Sequence, residues 1–154
     1  MNSKGLGNLV NLRYLKELTK LEEINMLYTQ ETKLSKINKQ KCYQLWEDND
    51  IDFVHSEALN GYGGILIVWH SSSIQCSRHI SSKHFVIVFG KCLDKNIPVV
   101  ILNVYLSCNI KDKISLWMEL EKLRENETCK SWCILGDFNT IKKKEERRRD
   151  IRFQ

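Results

Sequence analysis

The sequence lacks the features that would mark a membrane-spanning, secreted or linker-rich protein. No apolar run approaches the roughly 20 residues needed to cross a bilayer. The longest, 63–69 and 97–106, have the length of strands. Residues 1–8 are mostly polar and contain no apolar signal core, so no secretory signal is expected and the protein is read as intracellular. Proline occurs once and glycine seven times, which excludes a long flexible linker. None of the six cysteines is spaced as CxxC, and the four histidines add no HxxxH pattern. Neither a zinc site nor disulfides are therefore expected, and the thiols are read as reduced and mostly buried.

What is present suits one globular domain. The chain has 154 residues, 42% hydrophobic and 28% charged, enough for a sizeable core. Its net charge of +5 is concentrated at one end. Residues 142–154 hold seven basic and three acidic side chains, which accounts for most of the excess. The basic balance therefore describes a tail, read as frayed, attached to a nearly neutral domain over 1–141.

Periodicity gives a coarse architecture. Leu9, Leu12, Leu15 (or Tyr14), Leu18 and Leu21 recur at helical spacing over 9–23. A short apolar run at 24–28 reads as a buried strand ending in Thr29-Gln30-Glu31. A second helix is expected over 35–46 and a strand over 51–58, followed by a glycine-rich turn at 60–64. β-Branched and aromatic residues mark strands at 65–69 and 84–89. A polar turn is expected at 91–95, then the strongest strand, Ile97–Tyr105. Ile114, Leu116, Trp117, Leu120 and Leu123 predict a helix over 111–124, and 131–135 reads as another buried strand. Helices outside a run of strands imply layered α/β packing. The four tryptophans are read as core, and the histidines receive no role.

Polar side chains gather where these strands end: Gln30 and Glu31, Asn103 and Tyr105, Asp137 and Asn139. Such rims commonly build sites. The set is rich in oxygen. Glu31 can hold a hard cation that keeps several waters, Asp137 can orient or deprotonate water, and Asn and Tyr groups can donate to a phosphate. A bland reading stands beside each role. Glu31 can be a first-turn carboxylate of the following helix. Asp137-Phe138-Asn139 can be turn chemistry, and Tyr105 can be a core-edge tyrosine.

Taken jointly, these motifs resemble a known family. Met1-Asn2-Ser3-Lys4-Gly5-Leu6-Gly7 is similar to the end of its opening motif, and Thr29-Gln30-Glu31-Thr32 to its metal motif. Gly63-Gly64-Ile65-Leu66-Ile67, Asn103-Val104-Tyr105 and Leu135-Gly136-Asp137-Phe138-Asn139 follow in the family's order, and Glu146-Arg147-Arg148 resembles a later signature. The family is the endonuclease/exonuclease/phosphatase family, specifically the endonuclease domain of plant LINE-type retrotransposons.

The resemblance implies an α+β fold, a DNase-I-like four-layer α/β/β/α sandwich, here its N-terminal portion. It implies Mg²⁺ (or Mn²⁺)-dependent phosphodiester cleavage with DNA as partner and, for a functional protein, a nuclear location. It makes Glu31 the metal ligand and Asn2 a polar support beside metal and phosphate. Tyr105 becomes a phosphate contact, Asp137 the residue that positions or activates water, and Asn139 a transition-state stabiliser.

The departures are specific. Leu106-Ser107 follows Tyr105 where relatives carry Ser-Pro or Gly-Pro. The sequence contains no Asp-His pair, whose histidine in the family bonds the phosphate and whose aspartate orients that histidine. Without the half that carries that pair, an impaired or inactive enzyme with an uncovered sheet edge is expected. Two other readings stand: a non-catalytic nucleic-acid-binding remnant held by the basic tail, whose affinity would fall steeply with salt, and a small-substrate phosphatase.

Overall fold

The structure, a computed structural model, describes residues 5–7, 9–46, 49–106 and 108–139. The opening motif before Gly5, including Asn2, and the basic tail lie outside the described residues. Among the described residues, three helices and seven strands occur in the order α1 (Leu9–Leu21), β1 (Met26–Gln30), α2 (Lys39–Tyr43), β2 (Ile51–Ser56), β3 (Ile65–His70), β4 (Ile74–Ser81), β5 (Phe85–Cys92), β6 (Ile97–Tyr105), α3 (Ile110–Glu125) and β7 (Trp132–Asp137).

The strands form two sheets. One is antiparallel, in the order β1-β3-β2; the other runs β4-β5-β6-β7. Among the described strands only β7 is parallel to its neighbour, β6. A parallel return needs a long crossover, and α3 supplies it. Alternation along each strand sends one set of side chains between the sheets and the other toward the helices. Between the sheets, Val54, Ile65, Ile67 and Trp69 meet Ile74, Val86, Val88 and Ile101. On the outer face of the first sheet, Leu27, Leu66 and Val68 pack with Leu15 of α1 and with Cys42, Leu45 and Trp46. On the outer face of the second, Phe85, Ile87, Leu102 and Val104 pack with Leu116 and Leu120 of α3. The result has the four α/β/β/α layers that the resemblance implies, with strands in both sheets where most of only one was expected.

Several local expectations are corrected. The second helix covers only Lys39–Tyr43, because the Asn38 side chain accepts from Lys41 N–H and starts the helix late. Strand β4 has no counterpart in the sequence reading. Five of its eight residues are exposed, and backbone pairing to β5 holds it in place. Strand β5 continues through Lys91 and Cys92, where a turn was expected. The run at 131–135 is a strand, but not a buried one: Ile134 is 46% and Leu135 39% exposed. β7 is an edge, and among the described residues no strand pairs with its free side. Of the cysteines only Cys42 is buried, so the expectation of mostly buried thiols fails. Trp46 and Trp69 are core, whereas Trp117 is largely exposed and stacks on Phe138, with centroids 5.9 Å apart. No described helix is long and apolar enough to cross a membrane.

Candidate active site

The two strands that carry the candidate carboxylates are both edge strands on the same flank of the sandwich. β1 ends at Gln30 and delivers Glu31; β7 ends at Asp137. β6 lies beside β7 and ends at Tyr105, whose register partner is Asp137. Three chain segments thus converge at one rim.

Glu31 reaches this rim through a break in strand alternation. On a continued strand its side chain would follow Leu27 and Thr29 toward the helical layer. Its φ of +57° ends the strand instead. A non-glycine residue in this region costs of order 1–3 kcal/mol and persists only where its surroundings over-determine it. They do so here. The buried Thr32 donates its N–H to Gly64 O at 3.1 Å and accepts from Leu6 N–H at 2.8 Å, and Lys33 N–H donates to Gly63 O at 2.9 Å. A side chain at Gly64 would put Cβ 2.2 Å from Thr32 Oγ1. The Gly63-Gly64 pair is therefore the seat of the Glu31–Lys33 turn.

The rim is electrostatically coupled. Burial raises the Tyr105 hydroxyl above the usual tyrosine range, and the charges of Glu31, Asp137 and Cys108 raise it further. Tyr105 thus stays a hydrogen-bond donor with two carboxylates in electrostatic reach. Asp137 is pinned by a 3.0 Å bond accepted from Asn139 N–H. Asn139 has a φ of +43° and donates its side-chain amide to Leu106 O at 2.6 Å. Both residues therefore do the turn work of the bland reading while standing at the rim. Lys113 of α3 donates to Asn139 O at 2.7 Å, fastening the loop from outside. Gly136 is required locally, since a Cβ there would lie 2.1 Å from Val104 O.

Two sequence candidates are placed elsewhere. Asn103 is fully buried. Its amide donates to Thr29 O and Leu66 O, each at 3.2 Å, and its carbonyl oxygen accepts from the buried Gln30. Both side chains tie sheet to sheet and cannot reach a phosphate. Lys33, a residue outside the sequence candidates, lies 3.4 Å from the Glu31 carboxylate. No sequence pattern marks it, because the contact depends on the left-handed turn.

Among the described residues no group of three or more His, Cys, Asp or Glu could hold a metal ion. A cage of protein ligands is thus absent from that region. Mg²⁺, by contrast, typically takes one or two carboxylates and keeps several waters. The half-exposed rim with Glu31 and Asp137 fits that water-rich mode.

No protein-family model matches the sequence, and no curated protein matches it. Solved structures do match. An apurinic endonuclease from Leishmania major has a TM-score of 0.62 at 17% identity, over 90% of this chain and 53% of its own. The human Nocturnin catalytic domain with bound sulfate has a TM-score of 0.67 at 13% identity, over 92% and 62%. An endonuclease/exonuclease/phosphatase family protein from Bacteroides thetaiotaomicron has a TM-score of 0.64 at 14% identity, over 90% and 61%. This chain spans less than two thirds of each. Its two-sheet architecture is the DNase-I-like fold of these endonuclease/exonuclease/phosphatase structures.

Proposed function

We propose that the rim is the metal- and water-handling part of a phosphodiester-cleaving site that acts on DNA, as in the plant LINE-type retrotransposon endonucleases whose motifs the sequence resembles, and that this chain alone turns over slowly. The observation that carries the reading is that β1, β6 and β7 end at one rim, where Tyr105 is the register partner of Asp137 and both Asp137 and Glu31 lie within electrostatic reach of its hydroxyl.

Glu31 would hold Mg²⁺ or Mn²⁺. When bound, the cation neutralises charge that builds on the phosphate. Tyr105, held protonated by burial and by its carboxylate neighbours, donates its O–H to a phosphate oxygen. Asp137, oriented by Asn139 N–H, accepts a proton from the attacking water. Asn139 fixes the loop and offers polar support as charge develops. Slow turnover follows from the missing Asp-His pair: groups that act as a unit lose several orders of magnitude when one is removed.

The test is nicking of supercoiled plasmid in Mg²⁺, with EDTA and Glu31→Gln as controls. The expected result is Mg²⁺-dependent nicking below about 0.1 s⁻¹, against a median enzyme turnover of about 10 s⁻¹. Glu31→Gln is expected to reduce it at least about tenfold further. Equal nicking by wild type and Glu31→Gln would sink the metal assignment. Turnover near the enzyme median would sink the impairment.

A further inference from the structure

A lysine beside a metal-binding carboxylate is an awkward neighbour. It competes with the cation for the same oxygens, so its placement calls for an account. The Lys33 ammonium lies 3.4 Å from Glu31 Oε1, with the two side chains 42% and 23% exposed. Lys33 has a φ of +55° and Glu31 of +57°, so two strained residues bracket the buried Thr32. An exposed ion pair contributes about 0–1 kcal/mol. Two left-handed non-glycine residues cost of order 1–3 kcal/mol each. The ion pair is therefore too weak to be the reason for the turn. The turn is held by the backbone bonds of Thr32 and Lys33 to Gly64 and Gly63. The pair is a consequence of it. The Lys33 stem is directed as well: it packs against Gly5, where a Cβ would lie 3.4 Å from Lys33 Cδ.

We infer that Lys33 is a phosphate-binding residue that occupies Glu31 in the cation-free protein and turns to a phosphate oxygen once a divalent cation takes Glu31. The inference rests on the reading of Glu31 as the cation ligand. Its chemistry follows from charge. A divalent cation neutralises the carboxylate more fully than an ammonium does, which frees three N–H donors on a flexible stem. Asp137 at this rim already accepts from Asn139 N–H, and the anion that arrives with the cation is the phosphate it recruits. Lys33 thus opposes cation binding and favours phosphate binding, two effects of opposite sign from one side chain.

That opposition is the test, on the full chain. Calorimetry gives the affinity for Mg²⁺ alone, and then for inorganic phosphate in saturating Mg²⁺. Lys33→Asn removes the charge while keeping a residue that tolerates the left-handed region. It is expected to tighten Mg²⁺ about two- to fivefold and to weaken phosphate about tenfold. Lys33→Arg is expected to keep both affinities within about twofold of wild type. Thermal melting of each variant reports whether the fold is intact. No change in either affinity, or a loss of both together, would overturn the inference, the second outcome marking Lys33 as structural. Glu31→Gln separates the two claims. If it binds Mg²⁺ as wild type does, the reading of Glu31 fails and the role of Lys33 falls with it. If it loses Mg²⁺ while Lys33→Asn moves nothing, only the role of Lys33 fails.

Discussion

Strands β3 and β7 are built from similar residues and end in opposite environments. β3 reads Ile-Leu-Ile-Val-Trp-His, and Ile65 to Trp69 are each at most 1% exposed. β7 reads Trp-Cys-Ile-Leu-Gly-Asp, with its four central residues exposed. The difference lies in their neighbours. β3 has β1 and β2 on its two sides, the second sheet on one face and the α1/α2 layer on the other. β7 has β6 on one side and, among the described residues, no strand on the other. Composition makes a strand apolar; topology decides whether it is buried. The comparison also explains where the site is. Glu31 follows one edge strand and Asp137 ends the other, so the rim opens onto solvent instead of closing under a sheet.

The largest expected effect tests this difference directly. Ile67→Ala on β3 is expected to cost about 2–5 kcal/mol, as large-to-small changes in packed cores do. Ile134→Ala on β7 is expected to cost less than about 1 kcal/mol. Urea unfolding midpoints measure both, and equal costs would break the comparison. A smaller effect of opposite sign is expected beside β3. The Thr29 hydroxyl is buried and has no hydrogen-bond partner among the described residues. Thr29→Val is expected to stabilise the protein by about 1 kcal/mol, since it removes an unmet desolvation cost at nearly constant shape. Destabilisation in thermal melting would show that the hydroxyl has a partner.

The smallest effect concerns thiols. Burial under the outer face of the first sheet pushes Cys42 up from 9.0 to about 12. Cys133 on β7 and Cys108 are exposed. Thiol labelling at pH 8 is expected to modify Cys108 and Cys133 in the folded protein and Cys42 only on unfolding. The sign for stability follows. The folded protein disfavours the Cys42 thiolate and the Tyr105 phenolate. Their contribution is therefore intact below the ordinary thiol range and is lost as pH rises from about 9 toward 12. Unfolding free energy that held constant over that interval would contradict the burial assigned to Cys42.

How much of this was legible in the sequence depended on how each element is held. β6 could be read end to end, because nine residues with five buried in succession carry their own pattern. α3 was legible within one residue at each end, and Asn109, which caps it by accepting from Lys111 N–H, is a sequence-level start signal. β4 could not be read, because its residues IQCSRHIS are mostly exposed and their pairing partner is elsewhere in the chain. The placement of Glu31, Tyr105, Asp137 and Asn139 at or just beyond strand ends was legible. Their conformations were not. The left-handed φ of Glu31 and Lys33 is set by bonds to Gly63 and Gly64, some thirty residues away. Asn103 was misplaced for a related reason: its strand-end position suggests a site, and only the packing of two sheets turns it into a tie between them.

The most direct test of the site is where a cation binds. Substoichiometric Mn²⁺ broadens nuclear magnetic resonance signals of nearby amides in the ¹⁵N-labelled protein. The expected result is selective loss of Thr32, Tyr105, Asp137 and Asn139, with β2 and β4 on the opposite flank unaffected, and no such loss in Glu31→Gln. Broadening centred on His55 and His79 of β2 and β4, or a pattern unchanged by Glu31→Gln, would contradict a cation site at the ends of β1 and β7.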